Sequence, residues 1–418
     1  MKGGRQARIR RGVVTEIPSD GNHRSGRVGF SPASPDVLVS RSKMKVSDLK
    51  TPCALVDLEI VDRNSARMGE RMHALGVKLR PHVKTHKCAQ AARFQTRGHF
   101  GGVTVSTLAE ARFLAGHGFR DITYAFPLPL DALDEVVALS PTVDRLNLVL
   151  DQEATFRELE SCARATGLRF PVFLKVDCGY HRAGVDPERE ESVGLAVRLF
   201  RSSLVDFRGI LTHAGHSYDS RTPEEIRRVA GQEREVMVRF ASKLRAAEIR
   251  VAEVSVGSTP TMSLADDLRG VTEARPGNYV FYDRFQAAIG SCRPGDVAFS
   301  ILVSVVGHYP EQNKLLINAG ALALSKDAGA RHLDADFGYG SFYSADRSRH
   351  YPELQLVSLS QEHGQVRGTR RLDFADYPVG ARLRLLPNHS CLTAALYDRY
   401  HVLREGEIVD EWKPVRGW

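Results

Sequence analysis

From about residue 76 the chain alternates short runs of apolar and β-branched residues with longer stretches in which apolar residues return every three or four positions. A short apolar run suits a buried strand and a period near 3.6 suits one face of a helix, so the alternation predicts repeated βα units. Strands are expected at residues 77–80, 102–105, 122–125, 146–150, 172–176, 207–212, 251–256 and 272–275, eight in all. Helices are expected between several of them, at 107–117, 153–166 and 223–246. Eight strands with helices between them fit a (β/α)8 TIM-type barrel better than an open doubly wound sheet, an alternative that spacing alone leaves standing. Past residue 296 the pattern changes to strands without long helices, at 301–306, 314–317, 354–359, 382–386 and 401–404, which predicts a C-terminal β domain. The expected organisation is a leader over 1–45, a barrel over 46–295 and a β domain over 296–418. A strand at 54–57, ahead of a helix at 59–75, could join either folded part.

A length of 418 residues exceeds one typical core, in keeping with two domains. The net charge of +8 would suggest nucleic acid or a membrane surface if it lay on a folded face. It does not: residues 1–45 hold ten Lys and Arg against three acids, a net of +7, leaving about +1 elsewhere. That leader contains Gly, Ser and Pro without a repeating apolar face and is expected to be disordered or loosely draped. It lacks the apolar core of a secretory signal, and no stretch approaches the ~18 apolar residues that a membrane span needs. Six scattered cysteines without a CxxC pair suit reduced thiols. The expectation is a cytoplasmic protein that acts on a small molecule and binds neither nucleic acid nor membrane.

In a barrel of this kind the working residues stand at the C-terminal ends of the strands. Those ends carry Arg80-Pro81-His82-Val83-Lys84-Thr85-His86-Lys87 after the first strand and His213-Ala214-Gly215-His216-Ser217-Tyr218 after the sixth. Gly257, Ser258 and Thr259 follow the seventh strand, where barrels commonly hold a phosphate, and offer amide and hydroxyl donors at a helix start. The same residues also read as an ordinary N-cap. Lys84 stands among histidines and an arginine, and desolvation beside cations lowers an amine pKa and favours imine chemistry with an aldehyde. A solvated surface lysine is the plainer alternative. A lysine imine with a phosphate cradle points to pyridoxal phosphate as cofactor. His389 and Cys391 fall on one face of an extended chain, where they could share a borderline-soft divalent cation, Zn²⁺ first, with Mn²⁺ or Mg²⁺ as alternatives. A buried cysteine beside a satisfied histidine is the competing reading.

Taken together, Thr51-Pro52, the Arg80 to Lys87 run, Val176-Asp177-Cys178-Gly179-Tyr180-His181-Arg182-Ala183-Gly184-Val185, His216-Ser217-Tyr218, Gly257-Ser258-Thr259-Pro260-Thr261, Arg275-Pro276-Gly277-Asn278-Tyr279 and Pro387-Asn388-His389-Ser390-Cys391 resemble the eukaryotic-type D-serine dehydratase and D-threonine aldolase family. Its members are fold-type III pyridoxal phosphate enzymes with an alanine racemase-like barrel, and the resemblance runs from about residue 48 to the end. It implies that Lys84 carries the cofactor and that Arg182 faces its phenolic oxygen. Gly257, Ser258, Thr259 and Tyr279 would hold the phosphate, with His213 and Tyr218 completing the cofactor site. His389 and Cys391 match the family's metal pair. Dehydratases of the family carry His-x-Cys and D-threonine aldolases tend to carry His-x-Asp, so Cys391 favours dehydration. Asn318 and Gln361 depart from the aspartate and glutamate that the resemblance would place there.

The expected reaction takes a D-3-hydroxy amino acid such as D-serine to a keto acid and ammonia, with Lys84 as the base at Cα and the metal assisting loss of the β-hydroxyl. The alternative is an aldolase, in which His86 or His216 removes the hydroxyl proton and the Cα–Cβ bond breaks to give glycine and an aldehyde. A racemase and a non-catalytic cofactor carrier are the remaining readings. A homodimer is implied by the family. Deleting residues 1–45 is expected to leave turnover unchanged, checked by comparing kcat/KM of the truncated and full chains.

Overall fold

The computed structural model describes residues 44–418. The leader expected over 1–45 therefore lies outside the described residues, apart from Met44 and Lys45. After β1 (Cys53–Asp57) and α1 (Leu58–Ala74), eight strands form one parallel sheet: β2 (Lys78–Leu79), β3 (Val103–Val105), β4 (Asp121–Pro127), β5 (Arg145–Leu150), β6 (Phe170–Lys175), β7 (Val205–Leu211), β8 (Glu253–Val256) and β9 (Glu273–Ala274). Their spatial order is β2-β9-β8-β7-β6-β5-β4-β3. The last seam closes just past β2, where His82 and Thr104 form a parallel bridge and the Thr104 amide donates to the Pro81 carbonyl at 2.8 Å. The result is the (β/α)8 barrel that the alternation predicts.

The covering helices include α2 (Ala89–Thr96), α3 (Leu108–Gly116), α4 (Leu133–Leu139), α5 (Glu153–Thr166), α6 (Glu190–Arg201), α7 (Pro223–Ala246) and α8 (Thr259–Leu264). The three that the sequence marked have chemically explicit ends. Thr107 accepts from the Glu110 amide at 3.1 Å to open α3, and Gly167 at φ +71° closes α5. Thr222 caps α7 ahead of Pro223, with Glu224 and Glu225 in the first turn and Lys243 and Arg245 in the last, complementing the helix dipole. Leu146, Leu148 and Leu150 join the main core with Phe156, Leu159, Met237 and Phe240 from these helices. Strand alternation turns Asn147 and Val149 to the opposite face, where Val149, Phe173 and Leu211 make a small separate cluster.

The rest of that interior is polar. Arg80 donates through Nε to Glu273 at 2.6 Å and through Nη1 to Asp121 at 2.7 Å. Asn147 ties Asp121 to Thr123 at 3.1 and 3.0 Å, and Ser255 donates to the second Glu273 oxygen at 2.6 Å. Burial alone would depress the Arg80 guanidinium, but its two carboxylate partners raise it above the ordinary arginine range.

The C-terminal sheet comprises β10 (Phe299–Tyr309), β11 (Lys314–Ile317), β12 (Gly340–Ser344), β13 (Leu354–Leu359), β14 (Gly364–Gly368), β15 (Arg382–Pro387), β16 (Tyr400–Arg404) and β17 (Glu407–Trp412), with β1. β1 pairs antiparallel with β10 and parallel with β16, so the early strand belongs to this sheet. The pattern missed β12, β14 and β17, whose Gly, Ser and charged residues carry no apolar alternation of their own; they are held by pairing with β15, β11 and β16. Asn318, one of the two departures, is used structurally: it accepts from the Ser304 amide at 2.8 Å and donates to Thr51 at 2.9 Å. Among the described residues no helix is long and apolar enough to cross a membrane.

Glu273 and Arg80 are 1% and 2% exposed at their side chains, so removing one partner strands a charge inside the barrel. Glu273→Ala is expected to cost about 3 to 5 kcal/mol, read as a fall in the denaturant midpoint. Gln, which keeps an acceptor for Arg80 but no charge, should recover part of the loss.

Candidate active site

The barrel's C-terminal mouth opens on a cavity of about 430 Å³, within the range of small-molecule sites. Past β2 the chain makes a single 3-10 turn, Val83–Thr85, capped by His82, whose Nδ1 accepts from the Lys84 amide at 3.3 Å. This turn places Lys84 on the cavity. Lys84 is exposed by surface area because it faces that cavity, yet it lies deep enough that desolvation lowers its ammonium pKa. Arg182 and Arg275 add to the lowering, while Cys391 and Glu110 oppose it. His82 and His213 line the same space, and burial followed by the Lys84 charge keeps both imidazoles well below their ordinary pKa. His213 Nδ1 donates to the Gly257 carbonyl at 3.1 Å, which leaves Nε2 as the acceptor nitrogen.

The loop after β6 is strapped by acids. Asp177 accepts from the amides of Gly179 at 2.9 Å and His181 at 3.0 Å, and Asp151 accepts from Gly184 at 2.7 Å. Gly184 sits at φ +119°, where a Cβ would come within 2.5 Å of the Asp177 nitrogen, so only glycine fits. The strap brings Tyr180 and Arg182 to the cavity, with the Arg182 guanidinium 4.9 Å from the Tyr180 ring centre. Tyr180 lies so close over Gly215 that a Cβ there would be 2.1 Å from the ring. Lys175, at the end of β6, also lines the cavity and had no signal in the sequence beyond its place on a strand end. Burial, then Arg182 and Arg275, bring its pKa down to about 8.

Gly257, Ser258 and Thr259 line the opposite side, as expected, but part of their hydrogen-bonding capacity is already engaged. The Gly257 amide donates to Glu233 at 2.9 Å, and so does Ala214 at 3.1 Å, which staples the loops after β7 and β8 together. Ser258 is a true N-cap of α8, bonded to the Thr261 amide and, at 2.8 Å, to Ser217. Thr259 Oγ1 accepts from the amides of Gly277 and Tyr279 at 3.3 and 3.2 Å. The plainer sequence reading, a helix cap, describes Ser258, and the segment also lines the cavity.

Three expected residues do not reach the cavity. The 3-10 turn that delivers Lys84 carries His86 away from it: Nε2 bonds to Gln95 at 2.8 Å and Nδ1 accepts from the Cys88 amide at 3.1 Å, inside the protein. Burial brings its pKa down to about 4. His216 lies behind Tyr180, ring centres 6.1 Å apart, and Tyr180 rather than His216 forms the wall. The Tyr279 phenol is fully buried off the cavity, and only its amide touches the loop through Thr259. Tyr218 does line the cavity, and burial pushes its phenol above the ordinary range.

His389 and Cys391 both line the same cavity as Lys84, by a different geometry from the strand alternation expected. β15 ends at Pro387; His389 is the N-cap of a helical turn, Ser390–Ala394, and Cys391 lies within that turn. Strand pairing stops because Asn388 spends its side-chain amide on the carbonyls of Asp327 at 3.1 Å and Gly338 at 2.7 Å, while the Ser390 amide donates to Asp283 at 3.0 Å. Burial alone would raise the Cys391 thiol, but His389 and Lys84 draw it below the ordinary thiol value. Burial likewise opposes charge on His389, and Asp327 and Cys391 outweigh it, raising the imidazole well above its ordinary value. No group of three or more His, Cys, Asp and Glu able to hold a metal occurs among the described residues. A cation at this pair would complete its shell with water or substrate, the form of a catalytic site.

The donor set tests what the cavity suits. Lys84, Lys175, Arg182 and Arg275 line it with one carboxylate, the exposed Asp219. A surplus of cations, two of them (Lys175 and Arg275) buried, with neutral histidines fits an occupant carrying a phosphate and a carboxylate. The imidazole and thiol side by side fit a borderline-soft divalent cation.

Residues 56–284 match the alanine racemase N-terminal domain family and residues 298–403 the putative serine dehydratase domain family. The D-serine dehydratase of Dictyostelium discoideum is 37% identical over 395 residues, spanning 89% of this chain and 98% of that protein. The D-threo-3-hydroxyaspartate dehydratase of Delftia sp. HT23 is 39% identical over 374 residues, spanning 88% and 98%. Its solved structure superposes with a TM-score of 0.85 at 38% identity, covering 90% of this chain and 100% of that one. A variant of the same enzyme, solved in a metal-free form, superposes with a TM-score of 0.85 at 37% identity, covering the same shares.

A histidine whose folded pKa is depressed favours the fold only while neutral, so its stabilising contribution is lost as pH falls below the unfolded pKa of ~6.5. For His86 that loss runs from there down to about 4. His82 and His213 shift in the same direction. The denaturant midpoint of the cofactor-free protein should therefore fall over this window, and fall less steeply in His86→Asn.

Proposed function

Because the chain belongs to the alanine racemase-like D-serine dehydratase family, we propose that it is a pyridoxal phosphate- and metal-dependent lyase that removes water from a D-3-hydroxy amino acid such as D-serine, yielding a keto acid and ammonia. The observation that carries this reading is the convergence of Lys84 with His389 and Cys391 on one cation-rich cavity. Lys84 would hold the cofactor covalently. The Gly257, Ser258 and Thr259 loop with His213 and Tyr218 would enclose it, and Arg182 would face its ring oxygen. His389 and Cys391 would hold the cation. When bound, the cofactor supplies an electron sink that acidifies the substrate Cα proton, and the cation supplies Lewis acidity at the β-hydroxyl.

This chain's own residues account for the remaining steps. The lowered pKa of Lys84 makes its Nζ a competent base for the Cα proton. Lys175 and Arg275 would receive anionic groups of substrate and cofactor; burial depresses the pKa of both. Tyr180, Tyr218 and Leu392 wall the cavity and restrict water around the reacting carbons. His82 and His213, held neutral, offer hydrogen bonds to the occupant without adding charge to the cavity.

Dehydration is favoured over aldol cleavage because Cys391 stands where the family's aldolases tend to carry an acid. The two histidines expected as the aldolase base, His86 and His216, do not line the cavity, so in that alternative the task would pass to His82 or His213. The homodimer implied by the family belongs to the same proposal.

Product analysis with D-serine, D-threonine and D-threo-3-hydroxyaspartate is the direct test. Keto acid and ammonia are expected; glycine with an aldehyde would make the protein an aldolase, and neither product would end the lyase reading. Chelation should lower turnover at least ~100-fold, with recovery on adding Zn²⁺ or Mn²⁺. Lys84→Ala should lower it by at least ~1,000-fold and abolish the absorbance of covalently bound cofactor.

A further inference from the structure

Two side chains outside the expected site residues touch the histidine and cysteine directly. We propose that Asp327 and Thr85 are the positioning residues of the cation site, Asp327 fixing the His389 ring and Thr85 donating a hydrogen bond to the Cys391 sulfur. The proposal rests on the reading that His389 and Cys391 hold a divalent cation.

His389 follows the end of β15 and caps a short turn, a place where an imidazole would otherwise rotate freely. Its Nδ1 lies 2.9 Å from Asp327 Oδ2, and donation to that carboxylate fixes both the tautomer and the ring plane, leaving Nε2 as the ligand nitrogen. Asp327 is itself anchored. Its other oxygen accepts from the Gly329 amide at 2.7 Å, its carbonyl accepts from Asn388, and its amide donates to Ser325. Gly329 stands at φ +64°, where a Cβ would come within 2.6 Å of Phe337 and 2.8 Å of Asn388, so the turn that holds Asp327 requires glycine. Asn388 precedes His389, so carboxylate and imidazole are held by one local frame.

Thr85 reaches the sulfur from the barrel side. It is 1% exposed, and its Oγ1 lies 3.1 Å from Cys391 Sγ. A thiolate accepts and the hydroxyl donates. Asn278 Nδ2 stands further off, at 3.5 Å, and has closer partners in Asp283 and Ser390. A donor on a ligating sulfur draws electron density from it and sets how strongly it gives charge to a metal. Thr85 is also the next residue after Lys84 in the same 3-10 turn, so the geometry of the lysine and of the sulfur are set by one piece of backbone.

Cobalt(II) is the probe, added to metal-free holoprotein and followed by the sulfur-to-cobalt charge-transfer band in the difference spectrum and by competition with a chelator. Wild-type protein is expected to show the band; its absence would overturn the cation reading and this proposal with it. With the band present, Asp327→Ala should weaken cobalt affinity about 10 to 100-fold while keeping the band, and Asp327→Asn should recover part of the affinity. Thr85→Val should move the band to lower energy, and Thr85→Ser should restore it. A merely structural role for Thr85 would change stability and leave the band energy in place. Unchanged affinity in Asp327→Ala, or an unmoved band in Thr85→Val, would overturn the assignment of that residue.

Discussion

The site exists because one buried carboxylate, Asp283, holds a turn of the β domain onto the barrel mouth. One Asp283 oxygen accepts from Asn278 at 2.9 Å and from the Ser390 amide at 3.0 Å; the other accepts from Gln286 at 2.9 Å. Asn278 lies in the loop after β9, and Ser390 lies between His389 and Cys391. The carboxylate therefore fastens the imidazole and thiol to the same mouth that presents Lys84. Buried and fully bonded, such a group is worth more than its surface counterpart, and losing one partner leaves the others unsatisfied.

A second constraint is electrostatic. Four cationic side chains around one cavity repel one another, and the fold tolerates them by two means. Arg275 is anchored at its far end to the Thr212 carbonyl and Ser255, and Ser255 passes the load to Glu273 and so to Arg80. Lys84 and Lys175 are instead left with lowered pKa values, which makes their charge conditional on what enters. Barrel interior and cavity thus form one polar system, with the Val149, Phe173 and Leu211 cluster as its apolar layer.

The two rejected histidines show why proximity in sequence misleads. His86 is two residues from Lys84, yet the 3-10 turn between them gives the lysine to the cavity and the imidazole to Gln95 and the Cys88 amide. His216 is three residues from His213, and Tyr180, arriving from another loop, takes the wall position between. Conversely Asp327, Glu233 and Lys175 carry no local motif. Asp327 and Glu233 acquire their roles from partners more than ten residues away in the chain, and Lys175 from its place on the folded mouth, so no local motif could have marked them.

What the sequence determined by itself is whatever depends on short-range order. The eight barrel strands came from apolar runs, and the ends of α3, α5 and α7 came from caps, proline, glycine and flanking charge, all acting within a few residues. Lys84, Arg182, His389 and Cys391 were legible because they stand in distinctive runs at strand ends. Tertiary structure alone decided the pairing of β1 with β10 and β16, the strands β12, β14 and β17 that exist only through their neighbours, and the turn that replaced an extended chain at His389. It also decided which histidines face the cavity, because side-chain direction at a loop is set by hydrogen bonds to groups that meet only when the chain has folded.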